Sequence, residues 1–177
     1  MVSDLAAHIR AVPDFPKPGI VFRDITTLLR NPKAFQTALD ALYAPLADTR
    51  VDKVVGIEAR GFIFGSLLAH RLGAGFVPAR KPGKLPSTAM RETYELEYGN
   101  DAVEIHTDAI MRGERVLVHD DLLATGGTAS ATCRLIERMQ GSIVGISFLI
   151  ELSFLKGRER LKPHSVFSVI RYESEEQ

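Results

Sequence analysis

The chain has no tryptophan and only one cysteine among its 177 residues. One cysteine cannot close an internal disulfide, and it cannot build a multi-cysteine metal site. That residue, Cys133, falls inside a helical pattern and reads as a small core side chain rather than a nucleophile. An excess of one charge sign is also missing: Lys and Arg total 22, Asp and Glu total 22, and the formal net charge is zero. Neither nucleic acid nor an anionic membrane surface is therefore the expected partner. No apolar run approaches the ~18 residues that cross a bilayer. The start, MVSDLAAHIRAV, lacks a basic segment followed by an apolar one. The expected compartment is the cytoplasm. Repeats and low-complexity tracts are absent too. What is present, 45% hydrophobic and 25% charged residues, is an ordinary globular composition whose length fits one domain spanning 1–177.

The hydrophobic pattern alternates between helix and strand. Ser3 can cap a short helix carrying Leu5, Ile9 and Val12. Residues 13–19, with three prolines, cannot be regular. Asn31-Pro32 pairs a capping side chain with proline at the first helical position, ahead of the stripe Phe35, Leu39, Leu42 and Leu46. Pro45 predicts an irregular last turn. Residues 53–57 read as a buried strand, and a second helix with Phe64, Leu67, Leu68 and Leu72 stops at Gly73. Further strands are expected at 75–80, 115–119, 143–150 and 166–170, with a helix over 128–140. Residues 81–102 have no dominant period and predict a long excursion with a hairpin strand near 93–98. Loops of this length in a compact domain are usually functional. The alternation predicts an α/β fold with a mostly parallel sheet flanked by helices, and ligands beyond the carboxyl ends of its strands.

The most informative stretch is VLVHDDLLATGGTA. An apolar strand delivers two adjacent acids, Asp120 and Asp121, and the segment Thr125-Gly126-Gly127-Thr128 then turns into a helix. Glycine lets backbone approach a ligand closely, and the first helical amides have no internal partner, so the turn suits a phosphate. Two carboxylates beside it would repel that phosphate unless they address sugar hydroxyls or a bridging Mg²⁺. The Gly-Lys-Ser/Thr ending of a P-loop is missing, and Gly73-Ala74-Gly75 precedes a strand rather than following one, which is the wrong place for a dinucleotide fingerprint.

This stretch resembles the phosphoribosyl-pyrophosphate motif of the type I phosphoribosyltransferase family. FPKPGIVFRDIT, GIEARGFIFG, RKPGKLP, YELEYG and IELSFLKGRERL are similar, in order, to segments of that family's adenine-specific branch, and the likeness covers nearly the whole chain. The resemblance implies a single-domain fold with an N-terminal hood over the base (about 1–30) and a flexible active-site loop (about 83–102). It implies transfer of the 5-phosphoribosyl group from 5-phosphoribosyl 1-pyrophosphate to adenine, giving AMP and pyrophosphate in purine salvage. By the same resemblance Ala124, Thr125, Gly126, Gly127 and Thr128 hold the 5′-phosphate, while Asp120 and Asp121 bind the ribose hydroxyls. Arg60 and Lys84 meet the pyrophosphate, and Arg80 and Lys81 add positive charge near a partner in a homodimer. Val21 and Arg23, through main-chain groups, with Phe22 and Leu152, form the base pocket. Ala124 stands where hypoxanthine- and guanine-specific relatives carry an aspartate. Glu97, with Tyr98 beside it, is then the expected proton-handling carboxylate. The implied cofactor is Mg²⁺, held by the donor and water and not by a protein ligand set. A related enzyme for another base, such as xanthine, and a non-catalytic sensor that retains only the donor site stay open at this point. His119 departs from the family's aliphatic residue and reads as a satisfied structural histidine.

Overall fold

The computed structural model describes residues 2–95 and 100–175. A 3-10 turn, Val2–His8, leads into a small antiparallel hairpin of β1 (Arg10–Val12) and β2 (Phe22–Asp24). The helical spacing of Leu5, Ile9 and Val12 therefore does not persist. Leu5 is buried, but Val12 lies in β1 opposite Phe22, because the chain must reverse around the irregular proline-rich segment to pair with β2. A single turn, α1 (Thr26–Leu29), precedes α2 (Pro32–Tyr43). The α2 N-terminus is built as its residues dictate: the Asn31 side chain accepts from the amides of Lys33 and Ala34, both at 3.1 Å, and Pro32 occupies the first turn. Helix α2 ends in the 3-10 turn Ala44–Leu46, where Pro45 removes a donor.

The main sheet begins with β3 (Lys53–Ile57), followed by α3 (Gly61–Leu72), which stops at Gly73 in the left-handed conformation, φ 65°. Then come β4 (Gly75–Ala79) and an antiparallel excursion of β5 (Ala89–Glu95) and β6 (Asn100–His106). The chain re-enters the sheet as β7 (Arg115–Leu123), crosses by α4 (Gly127–Arg138) to β8 (Ser142–Leu152), and ends with β9 (Val166–Tyr172). The five strands are parallel in the order β4-β3-β7-β8-β9. Their cores, Val116 to Val118 in β7 and Ile146 to Ile150 in β8, are almost continuously apolar and buried, as a sheet covered on both faces requires.

One apolar cluster joins the sheet to α4 and the β5–β6 hairpin, and a second joins it to α2 and α3. Helix α3 lies close against β7. A side-chain carbon at Gly61 would stand 2.9 Å from Asp120 Oδ1 and 3.0 Å from the His119 carbonyl, so only glycine permits this approach. The chain leaves β3 outward to the β4 edge and returns to β7 on β3's other side. The order thus reverses between β3 and β7, and their carboxyl ends frame the crevice where such sheets bind ligands. Replacing Asn31 with alanine removes both capping acceptances; we expect a loss of about 1 kcal/mol, seen as a fall of about 2–4 °C in a thermal melt.

Candidate functional site

Both expected acids lie at the end of β7, inside the strand rather than after it, since Asp120 pairs with Phe148 of β8. Asp121 is 4% exposed, and the neighbouring cation is Arg60, whose Nε lies 2.9 Å from Asp121 Oδ2. Arg60 sits on the turn between β3 and α3, directly across the crevice. Asp120 accepts the Asp121 amide at 2.8 Å through Oδ1. Burial and then the charge of Asp121 push the Asp120 carboxyl well above its ordinary range. Burial also raises Asp121, and Arg60 pulls against it. Adjacent acids, of which only Asp121 pairs directly with a cation, are poised for a positive or hydroxyl-bearing ligand.

Beside them is a small cavity of ≈ 90 Å³ lined by Asp120, Leu122, Leu123, Ala124, Thr125, Gly126, Gly127, Thr128, Ala129 and Phe148. Gly126 has φ 79°, and α4 starts at Gly127, one residue earlier than its apolar pattern suggests. The turn and the unpaired first amides of α4 make a concave donor surface at the positive end of a helix, an arrangement that can take a phosphate. Among the described residues no group of three ligating side chains converges to hold a metal ion.

The other expected cations are arranged differently. Arg80 forks onto Glu58 (3.1 and 3.3 Å) and donates to the Lys84 carbonyl at 3.1 Å. The Lys81 amide donates to Glu58 at 2.8 Å, and its ammonium meets Asp101 and the Tyr94 hydroxyl. Burial raises the Glu58 carboxyl, but Arg80 and the Lys81 amide outweigh it and hold the group below its ordinary value. Arg80 and Lys81 are thus engaged by the chain's own acids, while Lys84 is exposed. Glu97 and Tyr98 lie outside the described residues. Sequence reasoning missed Glu58 and Asp101 as partners; the one signal was Glu58's position on the turn after β3.

The N-terminal segment expected to form the hood meets the crevice through Arg60, whose guanidinium carbon lies 4.8 Å from the Phe22 ring centre, while Phe15 packs edge-on against Phe22 at 5.2 Å. The Val21 amide donates to a Glu175 side-chain oxygen at 3.3 Å. Arg23 is 3% exposed; its guanidinium donates to the Glu175 carbonyl at 2.9 Å and lies 4.0 Å over Tyr172. Tyr172 pairs in register with Leu152, which brings the C-terminal ends of β8 and β9 against the hood.

His119 is fully buried one residue before the acids. Its Nδ1 lies 2.8 Å from Ser147 Oγ, and its Nε2 has no hydrogen-bond partner among the described residues. Burial pushes its pKa down to about 3, so the imidazole is neutral. Cys133 is buried in the core, and burial pushes its thiol up to about 12, which removes it as a nucleophile.

Fold and site together define a parallel α/β protein with an acid pair and a glycine-containing turn into α4 at its topological switch point. The Phosphoribosyl transferase domain model matches residues 24–176. The adenine phosphoribosyltransferase of Solibacter usitatus (strain Ellin6076) is 59% identical over 170 residues, covering 96% of this chain and 98% of its own. That of Desulfitobacterium hafniense (strain Y51) is 56% identical over 169 residues, covering 96% and 98%. The crystal structure of the adenine phosphoribosyltransferase from Rhodothermus marinus DSM 4252 superposes with a TM-score of 0.93 at 54% identity, covering 97% of this chain and 98% of that one. The Saccharomyces cerevisiae enzyme, complexed with an imino-altritol bisphosphate and adenine, superposes with a TM-score of 0.89 at 42% identity, covering 95% and 97%. The chain belongs to the phosphoribosyltransferase family, in its adenine phosphoribosyltransferase branch.

The neutral, buried His119 sets a pH dependence. In the unfolded chain the ring takes a proton as pH falls through 6.5, whereas the folded ring resists until about 3. The stability from this group is complete above the first value and is lost towards the second, by at most about 1.4 kcal/mol per pH unit. Denaturant titrations between pH 6.5 and 4 should show wild type losing stability more steeply than His119→Leu. Parallel slopes would remove the assignment.

Proposed function

We propose that the chain transfers the 5-phosphoribosyl group of 5-phosphoribosyl 1-pyrophosphate to adenine, forming AMP and pyrophosphate in purine salvage. The observation that carries this reading is the side-by-side placement of Asp120, Asp121 and the 124–128 turn at the switch point, in a chain that shares more than half its residues with adenine phosphoribosyltransferases. The 124–128 turn takes the 5′-phosphate on its amides and on the Thr125 and Thr128 hydroxyls. The two acids accept from the ribose hydroxyls, and this fixes the sugar in line with the base.

The residues fit a magnesium ion that brings its own ligands. The Asp120–Asp121 pair stands beside the turn proposed for the phosphate, and Mg²⁺ is commonly held by one or two carboxylates together with substrate phosphates and water. When bound, Mg²⁺ would neutralise charge on the pyrophosphate. Arg60, held by Asp121, and the exposed Lys84 stabilise the same departing anion as positive charge develops at C1′. The hood residues Val21, Phe22 and Arg23, with Leu152, receive adenine. Ala124 carries no proton-exchanging group, so Glu97 manages the proton at N7 while N9 bonds to C1′, with Tyr98 beside it. Closure of residues 83–102 keeps water from the donor. Two further expectations go with the resemblance: the protein works in the cytoplasm, and it is a homodimer with the region around Arg80 and Lys81 near the partner.

Pyrophosphate release should occur with adenine and Mg²⁺ and stop on chelation, while hypoxanthine, guanine and xanthine give none. Turnover with another base would discard the hood assignment and keep the donor site. Donor binding without turnover on any base would make the protein a sensor. Glu97→Ala should lower kcat by about 10²-fold or more with donor binding intact; an unchanged kcat would end its role in proton transfer.

A further inference from the structure

We propose that Gly157 and the Glu151–Arg158 ion pair form a backstop that positions the phosphate turn and thereby sets the enzyme's affinity for the phosphorylated end of its donor; this rests on the proposed placement of the 5′-phosphate at residues 124–128. Behind that turn the chain runs through the short 3-10 segment Gly157–Leu161. A side-chain carbon on Gly126 would stand 2.6 Å from the Gly157 carbonyl oxygen. One on Gly157 would stand 2.2 Å from the Ala124 carbonyl oxygen and 2.9 Å from Leu123 Cδ1. The two turns therefore touch backbone to backbone at Gly126 and Ala124, with the Leu123 side chain packed beside the contact. A shift of Gly157 is passed directly to the amides that face the phosphate.

Gly157 is itself held by its neighbour. Arg158 donates through Nε to Glu151 Oε1 at 2.6 Å and through Nη2 to Oε2 at 2.7 Å, a two-pronged pair on a carboxylate that is 2% exposed. The remaining donors reach the Val166 carbonyl at 2.6 Å and Ser168 Oγ at 3.1 Å, both on β9. Ser168 also donates to Glu151, and Arg171 lies 3.5 Å from the same carboxylate. The guanidinium thus ties the segment behind the phosphate turn to β8 and β9 together, and Leu161 anchors its far end in the core. Lysine, a point charge without the fork, cannot make these contacts at once. Preorganised donors act only when held within about 0.5 Å of their working positions. Arg158 is accordingly a positioning residue: it acts on the phosphate through Gly157 and the turn, and it borders the base pocket only through Leu152, next to Glu151 in β8.

Steady-state kinetics of Arg158→Lys, with each substrate varied in turn, test this. We expect KM for the phosphoribosyl donor to rise by about tenfold or more, with KM for adenine rising by much less. Ribose 5-phosphate, titrated alone, should weaken in parallel. A merely structural role would reduce the active fraction, lowering kcat while leaving both KM values in place, and that result would overturn the proposal. So would an equal rise in both KM values. Ser168→Ala removes one anchor and spares the fork; it should raise the donor's KM by less, and it decides the question if Arg158→Lys does not fold. The double variant Thr125→Ala/Thr128→Ala separates the two readings. If it leaves the donor's KM unchanged, the phosphate site itself is misplaced. If it raises that KM while Arg158→Lys and Ser168→Ala do not, only the backstop fails.

Discussion

Two carboxylates end the central strand of the sheet, and a single guanidinium faces them. Charge of one sign is costly to concentrate below a protein surface, and much of the surrounding architecture follows from that cost. Arg60 can reach Asp121 because α3 begins at Gly61, the one residue type that lets the helix start rest on the β7 backbone. The same guanidinium faces Phe22, so the hood is connected to the acid pair through one side chain. The neighbouring turn, by contrast, presents backbone amides and glycine at the start of α4.

Several of the other charges are organised as local pairs. Arg80 and Lys81 are held by Glu58 and Asp101, and Arg158 by Glu151, so the chain's electrical neutrality is distributed and not a sum of distant opposites. Lys81, Tyr94 and Asp101 link the end of β4 to the β5–β6 hairpin. The Arg80–Glu104 bridge does so through the backbone. The hairpin is thereby tied to the end of β4 along β6, from Glu104 to Asp101 near its turn end.

Much of this was legible in one dimension where the cause is local. Asn31-Pro32 capped α2 and Gly73 ended α3 because capping and left-handed geometry depend on single residue types. The acid pair and the polar turn after it could be placed because a buried parallel strand points its carboxyl end at the ligand. What could not be read depends on distant partners. The β1–β2 hairpin has strands of three residues, too short for any alternation to register. Strand β7 runs past His119 through two aspartates, which intrinsic preference disfavours in strands, because β8 supplies ladder partners on that stretch. Arg80 and Lys81 looked like free positive charge since nothing in their neighbourhood names Glu58 or Asp101. The Gly126–Gly157 contact joins two turns that no periodicity relates.

The Val21 amide and Glu175 have a different kind of consequence. On the proposed reading the main-chain groups of Val21 belong to the base, and the Val21 amide also has a carboxylate of its own chain, Glu175, as an acceptor. Base entry at this point is then an exchange and not an addition: one acceptor leaves for water as another arrives, and the number of hydrogen bonds is unchanged. The net gain is the small difference between two acceptors, so discrimination among bases falls to the shape of the hood and the groups around it, and the amide serves to orient whichever base fits.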